Sequence, residues 1–551
     1  MAYFVGQQER LFNSYDISKE EKEKLDSFLE ILEESGVGRV IENDTERDRS
    51  KGGRNGVNPY RLFATIVYAF SQHSGSLRRI EESIKFDLRY VYLMEQKQVS
   101  YVTISKFLNN VVVKDHRKIY SSILKTIIKK YEINTDDVFL DGTKLEANAN
   151  KYKFVWKPVF FHKRLNENIR NILSKYFPIP PSKMLFTSKE IGTYLSRLKE
   201  QLDRDNIEIC VGKGHRQIPI VKDFNILSKL LLKVLEYEEK EETCGQNRNS
   251  YFKTDKDATA MCLKEDYYSG LGSNMHAAYS LQILVSKGLI LDYYVSQDRS
   301  DAITLIPTLD TFYSDYSCYP KRLCADSGYG SYSNYEYLER NGIENYVKFS
   351  LWQKLIEGSF VPLYSFDEDG VLKCLNDKIG MPVTLGRHPK EKDSSFYLVK
   401  GCSKCDFRDY CMKFLKDKTK NERVFEASYQ AFKYRKTAIS NLLSPKGIEM
   451  RINRSSQVEG SFGIIKQNME YDRIRRRGLD NVTAEISLVC LGLVVRKLFT
   501  LIEGNAKMDY WCAPKGLLPE VPKPYSLKKL IKISSKGMNE KLRSSYKKKG
   551  H

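Results

Sequence analysis

The sequence lacks the features that mark a secreted or membrane protein. None of its apolar runs is long enough to cross a bilayer. The first residues, Met-Ala-Tyr-Phe-Val-Gly, do not form the basic segment and apolar core of a secretory signal. The 11 cysteines are an odd number spread over 551 residues, so a disulfide framework is not expected. These absences predict a cytoplasmic globular chain, long enough for two to four domains.

Negative charge is also in deficit. Asp and Glu number 70 against 90 Lys and Arg, which gives a formal net charge of +20. An excess of this size favours a polyanionic partner, with DNA or RNA first and an acidic membrane second. The hydrophobic fraction of 41% is ordinary for a globular protein and excludes none of these partners.

The N-terminal part, residues 1–131, has the pattern of several short helices. Ser18 begins a capping-box pattern, Asn58 and Pro59 supply an N-cap and a first-turn proline, and Ser100 caps a later helix. These helices fit a helix-turn-helix-like DNA-binding module, and an ordinary helical bundle with surface charges is the alternative. The candidate DNA-binding residues lie near helix starts: Arg78, Arg79 and Lys106.

Two short apolar runs in the middle of the chain each end in an aspartate. Residues 138–140 predict a buried strand that ends at Asp141, with Gly142 as a breaker. Residues 322–325 predict a second strand that ends at Asp326. Between them, residues 275–285 and 289–295 flank a turn signal and predict a hairpin. We expect an α/β layout in which both aspartates reach the same edge of the sheet.

Two insertions interrupt this α/β pattern. Residues 159–250 are rich in Lys and Glu with helical spacing, which predicts a helical insertion. Residues 353–452 are irregular and carry cysteines. A helical part, residues 453–503, follows, and residues 504–551 are a basic tail that includes Lys547–Lys549.

The third candidate acid is Glu459, one helical turn before Phe462 and so able to face the sheet. Arg454 precedes it and Lys466 lies two turns further along the same side. Three carboxylates can hold two divalent metals about 4 Å apart, and hard oxygen ligands suit Mg²⁺ or Mn²⁺. Basic residues that follow would position DNA phosphates: Arg473, Arg475, Arg476 and Arg477.

These motifs together resemble bacterial insertion-sequence transposases of the DDE class. Leu-Asp141-Gly-Thr-Lys-Leu-Glu-Ala-Asn-Ala-Asn is similar to the family's first-Asp motif, and Ala-Asp326-Ser-Gly-Tyr-Gly to its second. Residues 454–466 resemble its last-acid motif, in which a Lys follows the Glu after six residues. Residues 58–108 resemble its N-terminal transposase domain. The family's Tyr before the Arg has no counterpart here.

The resemblance implies an α/β, RNase H-like (retroviral-integrase-like) catalytic core spanning residues 132–503 after the helical N-terminal domain. It implies an enzyme that cleaves at transposon ends with divalent metal and joins the freed 3′-hydroxyl to target DNA, as a homodimer on the nucleoid. Catalytic roles fall on Asp141, Asp326, Glu459, Lys466 and Arg454. A metal-dependent nuclease of the same fold, which cuts without joining, and a non-catalytic DNA-binding relic are the alternatives.

The cysteine segment carries a separate prediction. Cys402 and Cys405 form a Cys-x-x-Cys pair and Cys411 follows six residues later. Three thiols at this spacing indicate a zinc site, and the alternative is plain thiols. Cys374 is the expected fourth ligand, with His388 as its competitor, because a fourth thiolate matches the softness of the other three.

Overall fold

The computed structural model describes residues 17–45, 57–72, 75–157, 161–210, 218–246, 248–263, 275–413, 415, 417, 419–504, 514 and 516–524. Helices dominate the first part. They are α1 (Lys19–Glu34), α2 (Val37–Thr45), α3 (Pro59–Ser71), α4 (Leu77–Phe86), α5 (Leu88–Leu93), α6 (Tyr101–Phe107) and, after a π-helical turn, α7 (Val113–Lys130). The predicted caps form: Ser18 accepts from the Glu21 amide, Asn58 from Tyr60 and Arg61, and Ser100 from Thr103.

A mixed sheet follows, built on β1 (Asp137–Glu146). The next elements are β2 (Phe154–Trp156), then helices α8 (Phe161–Leu173), α9 (Ser188–Arg204) and α10 (Pro219–Cys244), then β3 (Ser250–Phe252) and β4 (Thr259–Cys262). The three helices are the predicted helical insertion, and they bury a separate apolar cluster that includes Ile169, Leu173, Ile191 and Leu198.

The hairpin strands are β5 (Met275–Ser286) and β6 (Leu289–Ser296). Lys287 and Gly288 both have positive φ, as a tight two-residue hairpin turn requires. A short 3₁₀ turn and α11 (Leu305–Tyr316) lead to β7 (Arg322–Ala325), and α12 (Tyr332–Arg340) leads to β8 (Glu344–Val347). The sheet runs β4-β5-β1-β7-β8, with β6 also on β5. Strands β1, β7 and β8 are parallel to one another, while β5 is antiparallel to β1 and β6 is antiparallel to β5.

The cysteine-bearing segment is regular where the sequence predicted irregular structure. After α13 (Trp352–Ile356), five short strands form an antiparallel sheet: β9 (Tyr364–Phe366), β10 (Leu372–Cys374), β11 (Ile379–Val383), β12 (Ser395–Lys400) and, after the one-turn α14 (Arg408–Cys411), β13 (Glu422–Ala427). The strands are three to six residues long, so their alternation was too brief to detect in the sequence.

The last described elements are helical and return to the sheet. They are α15 (Tyr429–Leu443), α16 (Pro445–Arg454), α17 (Gly460–Gly463) between two π-helical turns, and α18 (Leu479–Ile502). Helix α18 is buried on most sides because it packs against α3, α7 and β6. Gly492 permits its close approach to α3, since a Cβ there would lie 2.7 Å from the Phe70 carbonyl carbon. The N-terminal helices and the sheet therefore share one core.

The basic tail predicted for residues 504–551 includes a segment, residues 516–524, that packs against the rest of the chain. The Glu520 amide donates to the Leu443 carbonyl, and the Lys523 amide donates to that of Ile356. Lys547–Lys549 lie outside the described residues. None of the helices described here combines the length and apolar character needed to cross a membrane.

Candidate active site

The two aspartates predicted at one sheet edge lie on neighbouring strands. The parallel pairing of β1 with β7 ends at Leu140 and Ala325, so Asp141 and Asp326 are the next residues on each side. Adjacent strands are about 4.8 Å apart, which places the two backbones side by side at the point where β7 stops. The sequence predicted that β1 ends at Asp141, and that prediction is wrong. Strand β1 continues to Glu146, paired with β5 alone.

Gly142 does not break the strand, contrary to the prediction from the sequence, but leaves room for a neighbouring side chain. It lies opposite Gln282 of β5, and a Cβ at residue 142 would lie only 2.3 Å from the Gln282 Nε2 atom. The fully buried Gln282 amide is held there by three partners: Tyr329 donates to its Oε1, and its Nε2 donates to Ser280 at 3.0 Å and to Asp301 at 3.4 Å. The absence of a side chain at Gly142 therefore lets this amide lie across β1, directly beside Asp141.

Arg454 joins the first and the third acid. Its Nη2 atom donates to Asp141 Oδ2 at 2.5 Å, and its Nη1 atom lies 3.9 Å from Glu459 Oε1. Arg454 is 8% exposed, and its Nε has no hydrogen-bond partner. Burial raises the pKa of the Asp141 carboxyl above its ordinary value, Arg454 opposes that shift, and Asp326 and Asp301 add to it. Negative charge from three strand and turn positions is thus concentrated around one guanidinium.

Glu459 is placed by a π-helical turn, Ser455–Glu459, that directly follows α16. Gln457 fixes this turn to the hairpin, because its Oε1 accepts from the Gly288 amide at 3.1 Å. Val458 is fully buried, whereas the Glu459 side chain is 63% exposed. The prediction that Glu459 faces the sheet from a regular helix therefore needs correction. The π-helical turn places its carboxylate at the surface, 3.9 Å from the Arg454 guanidinium.

Lys466 follows in the second π-helical turn, Ile464–Asn468. The positive charge of Lys466 lowers the pKa of Asp472, although burial raises that pKa more strongly. A second lysine lies within ion-pair distance of one of the acids. Lys348, just after β8, has its Nζ atom 3.8 Å from Asp326 Oδ1.

The acids approach one another without forming a finished metal site. Asp141 and Asp326 are strand neighbours, and Glu459 reaches the guanidinium that binds Asp141. In the part of the chain that the structure describes, no three His, Cys, Asp or Glu side chains are gathered so that they could hold a metal ion. The residues nevertheless fit a hard divalent cation, because carboxylate oxygens are the ligands that such cations prefer. Two of these carboxylates already lie beside a positive charge, the Arg454 guanidinium.

Two residues at this edge escaped the sequence analysis. Asp301 begins the 3₁₀ turn after β6, and a Cβ on Gly328 would lie 3.5 Å from its Oδ2 atom. Lys348 follows the last strand of the sheet. Position could have identified Lys348, because like Asp326 it comes directly after a strand of the sheet. Asp301 comes five residues after the end of β6 and has no such signal.

Three of the predicted DNA-binding arginines, Arg78, Arg475 and Arg476, lie between the N-terminal helices and α18. A groove of about 380 Å³ is lined from both sides by Arg78, Tyr101, Arg475 and Arg476. Arg78 stacks over the Tyr101 ring at 5.3 Å, and Arg476 donates to Asn109. The buried carboxylate of Glu485 accepts from the backbone amides of residues 475 and 476, which fixes this basic loop.

The other predicted basic residues differ in their surroundings. Arg79 and Lys106 are exposed on α4 and α6. Arg473 Nε lies 3.8 Å from Glu146, and Arg477 Nε donates to the Asn148 carbonyl at 2.7 Å. The loop of residues 473–477 is therefore attached to the end of β1 that lies beyond Asp141.

The four predicted thiols line one small cavity. Cys374, Cys402, Cys405 and Cys411 all border a space of about 20 Å³ inside the five-stranded unit. Burial raises the pKa of Cys411, and the other three thiols raise it further. His388 is exposed and does not border this cavity.

Comparison with known families gives two matches. A model described as a transposase DDE domain matches residues 377–499, which include Arg454, Glu459 and Lys466. A model described as a transposase domain matches residues 15–110, most of the N-terminal helices. No curated protein and no solved structure matches the chain.

Proposed function

The chain belongs to the insertion-sequence transposases of the DDE class, and from that premise we propose that it cleaves phosphodiester bonds at transposon ends and joins the freed 3′-hydroxyls to target DNA. The proposal assigns the chemistry to Asp141, Asp326 and Glu459. The observation that carries it is the edge of the sheet where β7 stops: two aspartates are strand neighbours there, and Arg454 links the first of them to Glu459.

Strand order supports an RNase H-like core. Taken in chain order, β1, the hairpin β5–β6 and the parallel strands β7 and β8 give the spatial order β6-β5-β1-β7-β8. The parallel strands are β1, β7 and β8, and the hairpin extends the sheet on the other side of β1. This arrangement places Asp141, within β1, and Asp326, directly after β7, in the middle of the sheet. The helical unit and the five-stranded unit are insertions into that core.

DDE transposase domains generally use divalent metals such as Mg²⁺. When bound, two such ions activate the attacking oxygen and stabilise the leaving oxygen on phosphorus. We assign the metal-ligand role to Asp141, Asp326 and Glu459. Arg454 holds Asp141 in place and offsets the charge of the neighbouring carboxylates. The Gln282 amide packs over Gly142 and so keeps β1 from shifting next to Asp141.

Basic residues near the acids are suited to hold the phosphate backbone. Lys348 lies beside Asp326, and Lys466 follows Glu459 by two turns. Arg78, Arg475 and Arg476 line the groove between the N-terminal helices and α18. Phosphate contacts of this kind position a duplex without reading its sequence. We propose that the groove holds DNA close to the cleavage site, and that two copies of the chain pair two transposon ends on the bacterial nucleoid.

A joining assay separates this function from its nearest rival, a nuclease that cuts without joining. Purified chain is mixed with labelled DNA carrying the element's terminal inverted repeat, with a plasmid target and Mg²⁺. We expect labelled ends covalently joined to the plasmid, and no product from the Asp326→Asn variant. Cleaved ends that never become joined would support the nuclease. Binding without cleavage by the native chain would support a non-catalytic relic.

A further inference from the structure

The five-stranded unit, residues 364–427, has a small fully buried core, to which the half-buried rings of Tyr364 and Tyr397 add. In its described part, the buried apolar cluster consists of Phe366, Leu372, Val399, Phe425 and Ala427. Partly buried cysteines pack against this cluster: Cys374, Cys402 and Cys411. A unit of this size with so small a core ordinarily needs a cross-link, either a disulfide or a bound metal. All the cysteines of this unit are free thiols, which leaves metal as the cross-link.

The thiols come from three separate places in the chain and meet at one cavity. Cys374 ends β10, Cys402 and Cys405 lie in the turn after β12, and Cys411 ends α14. The cavity they border has a volume of about 20 Å³. That is room for one water-sized sphere, and a single ion occupies no more. Main-chain bonds hold the thiol-bearing turns in place, since the Cys402 amide donates to Asn421 and the Arg408 amide donates to Cys405.

The charges around the cavity complement a metal–thiolate centre. Four thiolates and one Zn²⁺ carry a net charge of −2, and three cationic side chains border the same space: Lys378, Arg408 and Arg423. Arg423 Nη1 already donates to Cys411 Sγ at 3.1 Å, and Arg408 Nη1 donates to the Cys402 carbonyl at 2.6 Å. Donors of this kind support ligand sulfurs in zinc sites.

We propose that Cys374, Cys402, Cys405 and Cys411 bind one structural Zn²⁺ that stabilises the five-stranded unit. Tetrahedral binding at about 2.3 Å per bond requires the sulfurs to turn into the cavity, because the described thiols are not yet gathered closely enough to hold an ion. Four protein ligands leave no open position, so this zinc has no part in catalysis. The proposal is independent of the transposase function, and of the acids at the sheet edge.

The test is metal analysis of the full chain, purified under reducing conditions and reconstituted with Zn²⁺ alone. We expect one zinc per chain by mass spectrometry, and loss of that zinc in Cys402→Ser and Cys405→Ser. The matched control is Cys318→Ser, which changes an exposed cysteine away from the cavity and should keep one zinc per chain. Replacement by Co²⁺ should give a thiolate-to-metal charge-transfer band that Cys374→Ser weakens. Native chain without zinc, or zinc that survives both serine substitutions, would overturn the proposal.

A second measurement avoids variants that fail to fold. Chelation of zinc from the native chain should speed amide exchange in β9–β13 and leave β5 protected. Equal protection of the five-stranded unit with and without zinc would also refute the structural role.

Discussion

Arg454 donates a 2.5 Å hydrogen bond to Asp141 across 313 residues of sequence, and the same guanidinium lies 3.9 Å from Glu459. One buried cation therefore links two of the three acids that the transposase proposal assigns to catalysis.

The first prediction removes this cation. Arg454→Gln leaves the largely buried Asp141 without its partner, so the free energy of unfolding should fall by about 2–4 kcal/mol. If divalent metal binds the same carboxylates, Mg²⁺ should restore part of that loss in the variant and have a smaller effect on the native chain. Denaturant unfolding with and without Mg²⁺ measures both. A variant that loses stability but shows no greater response to Mg²⁺ would separate Arg454 from the metal site.

The second prediction concerns the close approach at Gly142. Gly142→Ala places a methyl group 2.3 Å from the Gln282 amide nitrogen, so β1 or the amide must move. Overpacking of this kind costs about 1–3 kcal/mol, and cleavage should fall because Asp141 is the adjacent residue. Gly192→Ala is the control, since nothing lies within 4 Å of that Cβ and residue 192 is inside α9. It should stabilise the chain by about 0.5–1 kcal/mol.

A double variant decides whether the Gln282 contact is the cause. Gln282→Ala removes the atoms that the new methyl group would meet. Gly142→Ala should then cost less in the Gln282→Ala background than in the native chain. If both backgrounds show the same loss, the strain lies elsewhere in β1.

The third prediction concerns DNA affinity. If Arg475 and Arg476 contact phosphates in the groove, replacing both by Gln should weaken binding and reduce the slope of log affinity against log salt by about one per lost contact. Arg340→Gln is a matched control, because Arg340 is exposed on α12 and does not border the groove. An unchanged salt slope in the double variant would mean that these arginines have only an intramolecular role.

The fourth prediction comes from the buried Asp292 and the half-buried His116, where α7 meets the sheet. Burial raises the pKa of Asp292 to about 7, although Arg117 at 2.8 Å opposes it. Burial lowers the pKa of His116 to about 4, and Arg117 lowers it further. Between those values the folded Asp292 holds a proton that the unfolded one releases, so its contribution to stability falls as pH rises. The folded His116 stays neutral, so its contribution falls as pH drops.

The two effects oppose each other, and single variants should separate them. Asp292→Asn leaves the His116 effect alone, so stability should fall on acidification from pH 7 to 5. His116→Gln should give the opposite trend. The slopes of the two variants should differ by roughly 2 kcal/mol per pH unit, as measured by urea unfolding at a series of pH values. Parallel slopes would show that neither group changes protonation on folding.

The sequence was sufficient for the elements with strong local signals. Caps at Ser18, Asn58 and Ser100 mark helix starts because each side chain satisfies a free amide, and the structure has those bonds. The hairpin turn at Lys287 and Gly288 was equally readable. The family resemblance, drawn from three short acidic motifs and from residues 58–108, is confirmed by the two matched domains.

Other features depend on contacts between distant residues. The continuation of β1 past Asp141 is fixed by its pairing with β5, about 140 residues later, and an Asp-Gly pair alone indicates a turn. The π-helical turn that ends at Glu459 changes the direction of that side chain, and no local sequence pattern predicts such a turn. Asp301 is tied to the site by its hydrogen bond with the Gln282 amide, a contact between distant residues, so its place there could not be deduced from spacing.

Single-turnover cleavage of terminal-repeat DNA in Mg²⁺ tests most directly whether Asp141, Asp326 and Glu459 act in one metal site. Asp141→Asn, Asp326→Asn and Glu459→Gln keep size and remove charge. Each should slow cleavage by roughly 1,000-fold, the loss of about 4 kcal/mol of transition-state stabilisation, while DNA affinity stays within about threefold of the native value. Cleavage within about tenfold of the native rate in any one of the three variants would contradict a shared site.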